Sequence, residues 1–93
     1  MLKVNDYFDG NVKSIALENE SGVSTVGVIA VGEYEFGTGT IEYMTIVSGA
    51  LDVLLPGSEE WKMYKTGETF IVEKDRKFKV KAYEPAGYVC IYK

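Results

Sequence analysis

The chain has no histidine and a single cysteine, Cys90. Ser-His-Asp and Cys-His nucleophiles are therefore excluded, as is any zinc or iron site built on imidazole. Carboxylates, hydroxyls, phenols and cations remain to do chemistry. Glu42 lies in EYMTIVSGALDVLLP (42–56), followed after six residues by Gly49. In an extended strand Glu42 shares a face with Met44 and Ile46, while Tyr43 and Thr45 take the opposite one. A carboxylate on the apolar side could meet positive charge on a bound molecule. The plain alternative is a rim carboxylate bonded to backbone amides or to a lysine. Glu35 and Phe36 have opposite parity, so one of the two is expected to face a pocket, with Tyr34 on the side of Phe36. The hydroxyls of Thr38, Thr40 and Ser48 can donate, and the Gly37-Thr38-Gly39-Thr40 turn could form an anion-binding nest or simply turn the chain. Cys90 alternates with Tyr88 and Tyr92 and reads as a buried core thiol.

Short strands must position these groups. In KFKVKAY (77–83), Phe78, Val80 and Ala82 face one way and Lys77, Lys79 and Lys81 the other, as on a solvated sheet face. WKMY (61–64) and GYVCIY (87–92) alternate more weakly. TVGVIAV (25–31) and TIVSGALDVLL (45–55) are nearly continuous apolar runs, as expected of strands covered on both faces. An isologous dimer would supply the second cover. Ten glycines punctuate the chain, mostly between these runs, and turn signals recur about every 8–12 residues, which favours an all-β sandwich or barrel. ENESGVS (18–24) reads as a polar hairpin loop, and Gly49 as a hairpin turn between two strands that fold back on each other.

Bulk properties narrow the function. The chain has 93 residues, expected to form one domain, with an apolar fraction of 46% that is ample for a core. The net charge of −4 and the absence of a basic run argue against a nucleic acid partner. No apolar stretch approaches the roughly 20 residues of a membrane span, and MLKVNDYF lacks a signal-like apolar segment. With one cysteine, these features lead to the expectation of a soluble protein of the reducing cytoplasm.

Two resemblances are carried by quoted residues. Glu42-x6-Gly49 is similar to the end of the first cupin motif, with Gly32 near its leading glycine and Glu35 and Phe36 in the region of its histidines. Thr66-Gly67-Glu68-Thr69-Phe70-Ile71-Val72 resembles the start of the second, whose histidine would fall near Arg76 or Lys77. More specifically, YFDGNVKSI (7–15), VGVIAVGEYEFGT (26–38), YMTIVSGALDVLLP (43–56), the spaced Trp61, Gly67 and Phe70, and AYEPAGYVCIY (82–92) together resemble the pyrimidine/purine nucleoside phosphorylase family. That resemblance implies a conical, jelly-roll (RmlC-like) cupin β-barrel, usually dimeric. It also implies an activity in which phosphate displaces the base of a nucleoside and leaves a pentose 1-phosphate. The segment EKDRKFK (73–79) is more basic than the family pattern.

Such a reaction passes through an oxocarbenium-like sugar. Phosphate must be held, positive charge must meet negative charge, and the departing base must be stabilised; none of these tasks requires a metal or other cofactor. Under the resemblance Glu42 is the candidate catalytic carboxylate, bonding ribose hydroxyls or facing the cationic sugar. Phe36 stacks on the base or belongs to the core, and Glu35 is the alternative substrate-binding candidate on the opposite parity. Lys13, Thr38 and Arg76 are candidate phosphate donors, with Arg76 able to bind bidentately. Tyr92 and Trp61 line the mouth or pack in the core. The competing expectations are a histidine-free cupin that binds a sugar-like or nucleotide-like ligand without turnover, and a dimerising structural domain.

Overall fold

Alternation of apolar and polar residues is realised along almost the whole chain. A computed structural model describes residues 2–93, and its regular elements are all strands. They are β1 (Val4–Tyr7), β2 (Val12–Asn19), β3 (Gly22–Ile29), β4 (Gly32–Gly37), β5 (Glu42–Ser48), β6 (Ala50–Leu54), β7 (Lys62–Lys65), β8 (Thr69–Val72), β9 (Lys77–Ala82) and β10 (Ala86–Tyr92). No helix among the described residues is long and apolar enough to cross a membrane.

The strands form two antiparallel sheets. One has six strands in the order β1-β2-β3-β10-β5-β8; the other has four in the order β4-β9-β6-β7. The two face each other as a jelly-roll-like sandwich. Among the described residues no ladder of hydrogen bonds joins one sheet to the other, so the expected jelly roll is a sandwich held by side-chain packing rather than a barrel closed by continuous strand pairing. The polar loop expected at 18–24 is shorter than its composition implied. β2 and β3 pair as far as Asn19 and Gly22, and the Asn19 side chain accepts a bond from the Ser21 amide at 2.9 Å.

Gly49 does not make a hairpin. β5 lies in the six-stranded sheet and β6 in the four-stranded one, so Gly49 is the corner where the chain changes sheets. Its φ of +79° is left-handed, and an added Cβ would lie 3.1 Å from the Pro85 carbonyl oxygen. Both facts call for glycine.

The inner faces meet in an apolar core that includes Ile29, Ile46, Leu51, Val53 and Val80, each with no exposed surface. These residues come from the late part of β3, β5 and β9 and from β6, with Ala86 at the start of β10. They fill one end of the sandwich. At the other end β4 and β10 finish and β5 and β9 begin, and there the sheets enclose a cavity.

Candidate active site

The cavity is about 410 Å³, within the usual range of small-ligand sites. Glu42 enters it from the first residue of β5. Register fixes this: Glu42 pairs with Tyr92, and Met44 pairs with Cys90, so all four side chains point between the sheets. Glu42, Met44 and Ile46 share the inner face, as alternation requires. The Cys90 thiol donates to Glu42 Oε1 at 3.4 Å. Burial raises the Glu42 pKa above the ordinary 4.5, and the thiol bond only partly offsets this. Cys90 is itself pushed up to about 12, first by burial and then by the neighbouring carboxylate. It is a thiol and a hydrogen-bond donor, not a nucleophile.

A second wall is made of hydroxyls. The inner face of β3 carries Gly27 where any side chain would collide with Tyr88: an added Cβ would lie 2.4 Å from Tyr88 Cζ. The missing Cβ lets the phenol lie on the β3 backbone. Tyr88 and Ser14 both pair with Gly27 across the sheet, and the Ser14 hydroxyl accepts from Asn5 Nδ2 at 3.3 Å. Burial pushes Tyr88 up to about 12 and raises Tyr92 further, although Tyr92 shares a 3.0 Å hydroxyl bond with Thr25. Both phenols therefore keep their protons and can donate.

The third wall is aromatic. Phe36 stacks on Phe78 with ring centres 5.6 Å apart, and Phe8 meets Phe36 edge-on at 5.5 Å. Tyr34 shares the face of Phe36 but belongs to the core, its hydroxyl donating to the carbonyls of Ala30 and Val31. Glu35 and Phe36 both border the cavity despite their opposite parity, because β4 ends at its mouth and the exposed Glu35 contributes to the rim.

Glu42, Glu35, Phe36 and Tyr92 are thus brought together, whereas Lys13, Thr38 and Arg76 are not among the cavity-lining residues. Lys13 projects from the outer face of β2 and pairs with Asp6 at 3.8 Å. Thr38 is fully engaged with the turn before β9: its hydroxyl donates to the Glu73 carbonyl at 2.6 Å and accepts from the Arg76 amide at 3.0 Å. Its own amide donates to the Arg76 carbonyl, so that amide is not free to join an anion nest. Arg76 is exposed on that turn, and a Cβ on Gly57 would lie 3.7 Å from its guanidinium. Trp61 lies under the Lys81 ammonium, 4.1 Å from ring centre to Nζ, rather than at the mouth.

Tyr7, Phe8, Ser14 and Tyr88 also line the cavity without being expected there, and Cys90, expected as a core thiol, borders it too. A signal for Tyr88 existed: Gly27 interrupts an otherwise apolar strand, which marks close approach of another group. The cavity lining contains carboxylates and hydroxyls but no lysine or arginine among the described residues. No group of three or more His, Cys, Asp or Glu that could hold a metal ion forms among them.

Comparison with known proteins agrees with this architecture. The family model described as pyrimidine/purine nucleoside phosphorylase matches residues 2–92. A protein of that name from Pseudomonas aeruginosa is 52% identical over 93 residues, covering all of both chains. One from Cellvibrio japonicus is 54% identical over 92 residues, 99% of each chain. Among solved structures, a Vibrio parahaemolyticus protein of unknown function superposes with a TM-score of 0.93 at 40% identity, covering 97% of this chain and 96% of that one. An RmlC-like cupin from Shewanella frigidimarina superposes at 0.74 with 15% identity, covering 97% and 81%, which supports the cupin fold. The chain belongs to the pyrimidine/purine nucleoside phosphorylase family.

Proposed function

We propose that the chain is a nucleoside phosphorylase that converts purine and pyrimidine nucleosides and inorganic phosphate to free base and (deoxy)ribose 1-phosphate, in the cavity between the two sheets. The observation that carries this reading is the half-buried carboxyl of Glu42, set between a hydroxyl wall and an aromatic wall. A phosphate oxygen forms the new bond to C1′ as the C1′–N bond breaks. The bonding pair leaves on the base nitrogen, which takes up a proton.

Glu42 suits the charge change. As an anion it is poorly solvated in the cavity, which is why its pKa is raised. When positive charge develops on the sugar, that deficit is relieved by attraction in a low-dielectric site, so the carboxylate favours the transition state over the ground state. The phenols of Tyr88 and Tyr92 and the hydroxyl of Ser14 provide neutral donors for ribose and phosphate oxygens. Phe36 provides a face for the base. No step in this reading calls on a metal or cofactor.

The test is release of free base from uridine, inosine and adenosine by purified protein, with and without phosphate. Release that depends on phosphate is the expected result; none in either condition would overturn the reading. A second reading has one observation in its favour: without a lysine or arginine in the lining, the cavity could bind a nucleoside without phosphorolysis. Binding measured by calorimetry, with no release of base, would select it.

A further inference from the structure

The turn from β1 to β2 passes through three consecutive left-handed residues: Phe8 at φ +53°, Asp9 at +56° and Gly10 at +86°. Glycine adopts this region freely; a bulky aromatic residue is an outlier there. Strain of this kind persists where the surroundings hold a side chain in a required place, and it concentrates at ligand clamps. The turn is held by bonds from the Gly10 amide to the Tyr7 carbonyl at 3.2 Å and from the Asn11 amide to the Phe8 carbonyl at 3.1 Å.

The strain carries the Phe8 ring across to the opposite sheet. Its centre lies 5.0 Å from that of Tyr34 and 5.5 Å from that of Phe36, both on β4. Phe8 borders the cavity, yet 42% of the residue is exposed, so its packing leaves part of its surface uncovered. An exposed ring held by a strained backbone, bordering the cavity that Glu42 also lines, is placed to contact the flat part of a ligand whose sugar faces Glu42.

We propose that Phe8 is a substrate-binding residue that stacks on the nucleobase at the cavity mouth, acting with Phe36 to hold the glycosidic bond toward Glu42. The inference rests on the nucleoside-binding reading above. Stacking tolerates any base, since every base offers a π face.

The test compares Phe8→Gly and Phe8→Tyr with the wild type in steady-state phosphorolysis of uridine and inosine, alongside thermal melting. Phe8→Gly is expected to raise the nucleoside KM about ten- to a hundredfold, as loss of a stacking partner does. The phosphate KM should stay within about twofold, because a stacked ring makes no contact with the anion. The melting temperature should fall by no more than a few degrees, because glycine relieves the left-handed backbone and so offsets part of the lost packing against Tyr34 and Phe36. Phe8→Tyr should restore nucleoside KM. An unchanged nucleoside KM in Phe8→Gly would overturn the proposal. So would a parallel rise of both KM values with a larger fall in melting temperature. If the wild type releases no base, the phosphorylase reading fails, and calorimetric affinity for inosine then judges Phe8 alone: equal affinity in wild type and Phe8→Gly, or no wild-type binding, overturns it.

Discussion

The thiol of Cys90 donates to the carboxyl of Glu42 across the β5–β10 pairing, joining residues 48 apart in sequence. Burial dominates this carboxyl and lifts its pKa above 4.5. Glu42→Gln keeps the shape and an oxygen acceptor for the thiol but removes the charge. Base release should fall by about a hundredfold or more, the scale set by losing one preorganised electrostatic partner of a transition state. At pH 7 the melting temperature should hold or rise, because the variant buries no ionised group. Equal turnover in the variant would remove Glu42 from the mechanism.

Activity and stability should also respond to pH in opposite directions. A carboxyl whose pKa is higher folded than unfolded binds more protons in the folded state. Its stabilising contribution is complete below 4.5 and is lost as pH rises through the folded value. Phosphorolysis needs the ionised form and should increase through the same window. A kcat/KM profile with an acid limb above pH 4.5, absent in Glu42→Gln, is expected.

Gly27 and Tyr88 form a lock of a different kind. Gly27→Ala would place a methyl 2.4 Å from Tyr88 Cζ, so the phenol must swing off β3 into the cavity. Activity should drop at least about tenfold, while a ring that can rotate into open space limits the stability loss to about 1–3 kcal/mol. Tyr88→Ala is itself destabilising because the phenol is buried, but adding Gly27→Ala to it should cost almost no further stability, and neither variant should regain activity, as read by melting and by base release.

Thr38 is expected to matter for folding rather than for binding. Its hydroxyl makes two short bonds to the turn at residues 73–76. Thr38→Ala leaves the Arg76 amide without this partner and should cost about 1–3 kcal/mol. A domain of this size then loses several degrees of melting temperature, at about 4–8 °C per kcal/mol. KM for phosphate should not change; a large rise would return Thr38 to the anion site.

The outer face of the six-stranded sheet is proposed to pair with a second copy of the chain. Leu17, Ser24, Ile91, Tyr43 and Ile71 form one transverse row, and Ile15, Val26 and Val89 lie in another. Ile15, Leu17, Val26, Val28, Val47, Ile71 and Ile91 are each 40–57% exposed, an apolar surface that can match itself across a two-fold axis. Light scattering should give a dimer for the wild type and a monomer for Val26→Lys combined with Ile91→Lys. A wild-type monomer would contradict this.

Alternation made much of this molecule legible. The inward set of Glu42, Met44 and Ile46 and that of Phe78, Val80 and Ala82 follow from parity alone, because a strand leaves each side chain only two directions. What parity does not encode is which strands pair. Gly49 carries the same local signal for a hairpin and for a corner between sheets, and only the partners of β5 and β6 distinguish them. The positive charges of Lys13 and Arg76 pointed to an anion site, but long cations favour solvent and both stayed outside the cavity. Phe8 is not legible as a site residue because an aromatic residue before Asp-Gly reads as an ordinary turn flank; its left-handed backbone is a tertiary effect.

The most direct measurement is a crystal structure of Glu42→Gln with inosine and phosphate bound. The base is expected against Phe36 and Phe8, with C1′ turned toward residue 42 and the ribose hydroxyls near Tyr88 and Tyr92. A nucleoside seated on the outer sheet face, with the inner cavity free of ligand, would contradict this.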